Sequence, residues 1–285
     1  MENMVIGKTF DEERALYNLC DAEVRDCVFS GPADGESALK ECRNIRVTGC
    51  DFRLRYPLWH ARGFEVVDSS MTDDCRAALW YCTDGKVIGS RLHGVKCLRE
   101  CDRVTVSGCD IDSVEFGWKC RDIDINDTCL KSEYPFLDGS GIRISGLTMD
   151  AKYSFQYVSD VRIENSVLRT KDAFWHSRNV TVVDSEVRGE YLGWYSDNLT
   201  LVNCRIIGTQ PLCYCDNLRL IDCTMEDTDL SFEYSDVQAE VNGHIDSVKN
   251  PRSGRIHAGS IGELIIGDQV MECGCRIVTD DGAFS

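Results

Sequence analysis

No run in the chain approaches the roughly 18 apolar residues of a membrane-spanning helix, so no membrane span is expected. The start, MENMVIGKTFDEERALYNLC, lacks both the basic n-region and the continuous apolar h-region of an export signal. Bases are scarce against acids: Lys and Arg total 31, Asp and Glu 48, and the formal net charge is −17. That balance repels phosphate backbones and anionic lipid surfaces, so neither nucleic acid nor a membrane is an expected partner. No P-loop, G-x-G-x-x-G or H-E-x-x-H is present, which removes the common nucleotide and zinc-protease signatures. C-x-x-C spacing is also missing. The short cysteine pairs are Cys213-x-Cys215 and Cys273-x-Cys275, and neither has the spacing of a zinc site. No metal and no cofactor is expected. Seventeen cysteines without an export signal point instead to free thiols in a reducing compartment, the cytoplasm.

What the chain does contain is a repeat. Asp197–Ser235 reads DNLTLVNCRIIGTQPLCYC and then DNLRLIDCTMEDTDLSFEYS, the same phrase written twice. A period of about 20 residues with alternating patterning is the signature of a solenoid. The units align in columns. One apolar column runs Ile45, Phe64, Val87, Val104, Ile123, Ile142, Val161, Val180, Leu199 and Leu218. A second, two places on, includes Val47, Val66 and Val106, and the position between them is polar. This is a strand with one buried face. The column Gly49, Asp68, Gly89, Gly108, Asp127, Gly146, Asn165, Asp184, Asn203, Asp222 admits only residues that tolerate a left-handed corner. Cysteines fall mainly in two columns where Ser and Ala alternate with them, as expected of a small inward position.

The fold expected is all-β, a single-stranded right-handed parallel β-helix of about 10 to 12 turns. Residues 1–21 form an N-terminal cap, residues 22–250 the repeats, and residues 251–285 irregular closing turns. Thr9 with Glu12 makes a capping-box pattern before the helix-favouring stretch EERALYNL, which predicts a short capping helix. A polar loop is expected over Ser30–Ser37 and a polar tail around Glu272, Asp280 and Asp281. The columns resemble those of the pectin-lyase-like β-helices. FDEERALYNL near the start and KNPRSGRIHAGSIGELII near the end are similar to an uncharacterised bacterial β-helix family, the domain of unknown function 3737. That resemblance implies a fold and carries no activity.

Two surface features could carry function. The first is an aromatic stripe. Trp59, Trp80, Trp118, Tyr157, Trp175 and Trp194 stand two residues before the end of a unit. His60, Tyr81, His176 and Tyr195 stand one residue later in theirs. Rings with polar edges suit a saccharide or another flat ligand, and these ten residues are the candidate ligand site. They also suit a protein partner or a homo-oligomer through the aromatic face. Mutual packing of the rings is the plainer explanation. The second feature is a charged column with His93, Asp112, Lys131 and Asp150 on successive units. Alternating sign is what a stable ladder requires. As chemistry, the same four residues are the candidate acid–base set of a glycoside hydrolase or polysaccharide lyase. Against that, Asp73-Asp74 stands without the other blocks of galacturonan hydrolases, and Gly243-His244-Ile245 departs from their Gly-His-Gly. The leading expectation is a non-catalytic binding module. A carbohydrate-active enzyme and a self-associating scaffold are the alternatives.

Overall fold

The structure, a computed structural model, describes residues 3–31, 36–280 and 282. Residues 32–35 of the expected polar loop and Asp281 of the tail lie outside them. The chain is all-β, a right-handed parallel β-solenoid of about 14 turns. Its contacts divide into two compact units, Met1–Thr148 and Met149–Ser285.

In the first unit, six-residue strands stack in parallel. They include Cys20–Arg25, Arg43–Thr48, Arg62–Val67, Thr83–Ile88, Asp102–Ser107 and Arg121–Asn126. Each buries two alternate side chains, the apolar columns of the sequence. A corner follows, then a strand of two or three residues. Asp51–Phe52, Ser70–Met71, Arg91–His93, Asp110–Asp112 and Cys129–Lys131 stack there in register. The third side carries Leu58–Trp59, Leu79–Trp80 and Leu98–Arg99. The second unit repeats the first two sides, with Ser159–Glu164, Arg178–Val183 and Asp197–Val202 on one and Val167–Lys171, Glu186–Arg188 and Arg205–Ile207 on the other. Its last strands, Leu218–Glu226, Asp236–Lys249 and Ser253–Ile265, are longer and absorb the corner as register shifts.

The N-terminal helix is absent: among the described residues there is no helix. Asn3–Ile6 pairs in parallel with Ala22–Arg25, and Thr9–Phe10 pairs with Val28–Phe29. The segment is a turn of the solenoid rather than a helix. EERALYNL bends across that turn, and its amides donate to the next rung, Arg14 to Glu36 O (3.0 Å), Leu16 to Ala38 O (2.9 Å) and Asn18 to Lys40 O (2.9 Å). Helix propensities separate ordinary residues by only about 0.7 kcal/mol or less. Shared backbone hydrogen bonds and the stacking of Phe10 on Phe29 at 5.1 Å outweigh that preference. This extra rung is one reason the turns outnumber the 10 to 12 expected.

Every residue of the predicted corner column has a positive φ, from 46° at Asp127 to 71° at Gly146. A second left-handed column opens each unit. It comprises Asp21, Asn44, Gly63, Asp84, Arg103, Asp122 and Gly141 in the first unit, and Asp160, Asn179, Asn198 and Asn217 in the second. Its amides form a ladder: Asn179 donates to Asp160 (2.9 Å), Asn198 to Asn179 (2.9 Å) and Asn217 to Asn198 (3.0 Å).

The first apolar column needs one correction. Gly85, not Val87, lies between Phe64 and Val104, and Val87 sits between Val66 and Val106. The Phe64 ring fills the vacant volume. A Cβ at Gly85 would lie 2.1 Å from its carbons.

All 17 thiols are free. The Cys/Ser columns are hydrogen-bonding ladders as well as small core positions. The Cys50 amide donates to Ser69 Oγ and the Ser69 amide to Ser90 Oγ, both at 3.1 Å. Ser69 Oγ in turn donates to Val67 O at 2.9 Å. Thiol and hydroxyl share this donor–acceptor role, which explains why they interchange. Burial pushes the Cys42, Cys75 and Cys97 thiols up to about 12, so they stay protonated and unreactive.

Candidate functional site

The third corner of each turn is built from large residues in a left-handed conformation. His60, Tyr81, Glu100 and Lys119 have φ of 51° to 56°, and Tyr157, His176, Tyr195 and Tyr214 have φ of 52° to 59°. Such a conformation costs about 1–2 kcal/mol per non-glycine residue. Ring stacking offsets part of it, at about 0.5–1.5 kcal/mol per aromatic pair. In the second unit the offset is nearly continuous: Tyr157–His176 at 5.1 Å, His176–Tyr195 at 5.0 Å and Tyr195–Tyr214 at 4.9 Å, with ring planes within 15°. Tyr157 therefore belongs to the His/Tyr column, one place later than the sequence alignment put it. Gln156 takes the tryptophan place. Tyr157 and Tyr195 are 57% and 46% exposed, and His176 is exposed as well. The stacked faces are covered by their neighbours, so these rings present edges.

Beside that ladder, Trp175 stacks on Trp194 at 5.5 Å and 5°. Both indoles are anchored by their N–H groups, Trp175 to Tyr191 O (2.7 Å) and Trp194 to Gln210 O (2.8 Å). Gln156 does the same with its amide, donating to Asp172 O at 3.2 Å. In the first unit Trp118 also donates to a carbonyl, that of Tyr134, under the Arg99 guanidinium 5.5 Å from its ring centre.

Trp59 and Trp80 differ. They stack at 5.2 Å and 13° on strands whose residues pair Leu58↔Leu79 and Trp59↔Trp80. Their Nε1–H groups are enclosed and have no hydrogen-bond partner. Tyr56 leans on both rings, with centres 5.7 and 5.8 Å away. The Lys40 ammonium stands 4.0 Å over the Trp59 ring. On the exposed side, His60 Nδ1 lies 2.9 Å from Glu41 Oε1, and the His60 ring lies 5.3 Å from that of Tyr81. Hydrogen bonding to the Glu100 carboxylate holds the Tyr81 phenol above its ordinary range. Glu41, His60, Tyr81 and Glu100 thus form a run of hydrogen-bonding groups beside two indoles whose donors are unused.

His93, Asp112 and Lys131 are brought together as successive rungs, His93↔Asp112 and Asp112↔Lys131. Lys131 Nζ is 3.1 Å from Asp112 Oδ2. Asp150 lies in the second unit, exposed on Thr148–Tyr153. A groove of about 490 Å³ beside His93 is lined by Ser70, Met71, Thr72, Asp73, Asp74 and Arg91. Arg91 Nε donates to His93 Nε2 at 3.0 Å. An arginine cannot accept, so Nε2 holds a lone pair and the imidazole proton is on Nδ1, 3.9 Å from Asp73 Oδ1. In this arrangement His93 offers the groove a donor rather than a free base.

A further histidine escaped the column reading because it lies where the period relaxes. His257 Nδ1 is 2.7 Å from Glu240 Oε2 and its Nε2 is 3.0 Å from Asp280 Oδ1. The two carboxylates hold its pKa above the usual histidine range. Arg255, on the same strand, also meets Glu240. His244, of Gly243-His244-Ile245, lies 2.9 Å from Ser260 Oγ. Among the described residues no group of three or more His, Cys, Asp or Glu is placed to hold a metal ion, and no helix is long and apolar enough to cross a membrane.

Three solved structures are similar to the chain at the level of fold. One is a tailspike protein mutant of E. coli bacteriophage HK620 in complex with a hexasaccharide (9% identity, 87% of this chain, TM-score 0.45). The chain spans 60% of the tailspike chain's length. A second is the A-module of the mannuronan C-5 epimerase AlgE6 of Azotobacter vinelandii (9% identity, 97% of this chain, 90% of that one, TM-score 0.41). A third is PfbA, a surface adhesin of Streptococcus pneumoniae (8% identity, 80% of this chain, 72% of that one, TM-score 0.38). No curated protein matches the chain. The model of a family described as proteins of unknown function, DUF3737, matches residues 3–278, and the chain belongs to that family.

Proposed function

We propose that this protein is a non-catalytic, cytoplasmic binding module that takes a saccharide on the Trp59–Trp80 face of its first unit. One observation carries the reading. Of the five tryptophans, three spend their indole N–H on the protein's own backbone, and Trp59 and Trp80 do not. A buried unpaired N–H costs about 1–3 kcal/mol. A ligand oxygen that displaces the groups enclosing it and accepts from it recovers that cost, which favours binding at these two rings. The neighbouring His60, Tyr81, Glu41 and Glu100 supply donors and acceptors for hydroxyl groups. Seventeen free thiols support a reducing compartment.

The test is an oligosaccharide array followed by calorimetry on the hits. Trp59→Phe with Trp80→Phe keeps flat rings and removes both N–H groups. It should weaken binding about tenfold or more, since each hydrogen bond contributes about 0.5–1.5 kcal/mol. Trp175→Phe with Trp194→Phe should leave affinity unchanged. Binding that survives the first pair and fails with the second would sink the proposal.

A second reading is favoured by the register of His93, Asp112 and Lys131 beside the acidic groove. It is a carbohydrate-active enzyme working there. Cleavage of an array sugar, lost in Asp112→Asn, would replace the non-catalytic reading with this one.

A further inference from the structure

His244 and Ser260 face each other on the neighbouring strands Asp236–Lys249 and Ser253–Ile265. His244 follows a bulge: the pairing shifts register between Val241 and His244, and Gly243 takes a φ of 94°. Bulges re-aim side chains. His244 Nδ1 lies 2.9 Å from Ser260 Oγ, and its Nε2 lies 3.8 Å from Asp246 Oδ1. Asp246 is two places on, on the same side of the strand. Its other oxygen accepts from the Thr228 amide at 2.6 Å, which fixes the carboxylate. A carboxylate on the Nε2 side favours a proton there, so Nδ1 keeps its lone pair for the Ser260 hydroxyl. A Cβ at Gly262 would lie 2.6 Å from the Asp246 carbonyl oxygen and 3.3 Å from His244 Nε2, so glycine there makes room for the ring.

The other histidines are arranged differently. The Nε2 lone pair of His93 is taken by Arg91, and His257 is held between two carboxylates. His60 meets Glu41, and His176 is stacked between Tyr157 and Tyr195.

We infer that Ser260 is a nucleophile that takes an acyl group from an ester. A hydroxyl becomes reactive when a base within hydrogen-bond reach takes its proton and a third group orients the base. Ser260 Oγ bonds to the ester's carbonyl carbon as its proton passes to His244 Nδ1. The tetrahedral adduct then breaks its bond to the alkoxy oxygen, which leaves as the alcohol with that proton, and the acyl group stays on Oγ. Asp246 is a positioning residue. An ester can reach the pair, because the His244 and Asp246 side chains are 53% and 46% exposed. The site is made wholly of second-unit residues and uses none of the tryptophans on which the saccharide reading rests. One acyl group per chain is a modification rather than a turnover and leaves that reading as it stands.

The experiment treats the full chain with p-nitrophenyl acetate and locates the acetyl group by peptide mass spectrometry. Acetylation should fall on Ser260 ahead of the other hydroxyls. His244→Gln should slow it at least about a hundredfold, the lower end of what a positioned general base contributes. Asp246→Asn should slow it severalfold, and Asp246→Glu should recover part of that loss. Unfolding the unaltered chain in urea should remove the preference for Ser260. Acetylation of Ser260 that persists undiminished in His244→Gln or in urea would overturn the inference. Acetyl groups spread evenly over the exposed hydroxyls would overturn it as well. Either result leaves saccharide binding untouched.

Discussion

Two pairs of tryptophans occupy the same corner of the same repeat, one pair in each unit, with nearly the same stacking distance, 5.2 Å for Trp59–Trp80 and 5.5 Å for Trp175–Trp194. They differ in the indole nitrogen. In the second unit it donates to the carbonyl of Tyr191 or Gln210, and in the first it is enclosed and unpaired. Residue type is the same and the stacking distance nearly so in the two pairs, so neither can separate a ring that holds the turn together from one open to a ligand. The hydrogen-bond account of one atom does. By that account the second pair is architectural, and so is Trp118, whereas the first is the pair proposed above as a site.

The comparison can be broken most forcefully by removing a whole ring. Trp194→Ala deletes the packing on Trp175 and Tyr191 and removes the indole donor to the Gln210 carbonyl, and should cost about 3 kcal/mol in urea unfolding. A loss well under 1 kcal/mol would remove its architectural role. A finer probe keeps the ring. Trp175→Phe should cost about 1–2 kcal/mol because a bond is lost and a carbonyl stranded. Trp59→Phe should be close to neutral, because relief of the enclosed unpaired N–H offsets the packing lost with the smaller ring. Equal losses at the two sites would erase the distinction.

The ladder itself offers a third probe. Tyr195 has φ of 59° and stacks on both neighbours. Tyr195→Gly removes the rings' contact and also the backbone strain, whereas Tyr195→Ala removes only the contact. The glycine variant should therefore be the more stable by about 1 kcal/mol, the reverse of the usual order in a sheet. If alanine were the better residue, the strain argument for this corner would fail.

The smallest effect should be a pH dependence confined to the second unit. His257 bridges Glu240 and Asp280 and thereby ties the end of Arg276–Thr279 to the two strands before it. Its pKa is raised in the folded protein. The groups facing it are Glu240 and Asp280, with Arg255 on its own strand and Arg276 opposite Arg255. A raised folded value means the stabilisation is full below the ordinary histidine pKa of about 6.5 and is lost as pH rises through the folded value. Amide exchange of residues 276–279 should quicken over that range beyond its intrinsic increase. His257→Gln should flatten the excess.

Much of the fold was legible because a solenoid writes the same environment many times. Ten corner residues drawn only from Gly, Asn and Asp identify a left-handed column, and all ten have positive φ. The N-terminal turn was misread because EERALYNL carries a real local preference that the neighbouring rung overrides, and pairing with a neighbour is not written in a local segment. Val87 was misplaced because Gly85 carries no side chain to mark its column. The vacancy is visible only once Phe64 is seen to fill it. The aromatic stripe could be listed from the sequence, Tyr157 one place out of register. Its division into structural and unused donors depends on whether a carbonyl such as that of Tyr191 lies within reach, which is a matter of turn geometry. The His257 bridge joins residues 17 and 23 positions apart in strands whose period has already relaxed, and no column pointed to it.

The central claim concerns five indole N–H groups, and labelling tryptophan with nitrogen-15 gives each a separate NMR signal. Titration with the best-binding glycan should shift the Trp59 and Trp80 signals downfield as they gain an acceptor, while those of Trp118, Trp175 and Trp194 stay in place. Shifts at Trp175 and Trp194 with Trp59 and Trp80 unmoved would contradict the account.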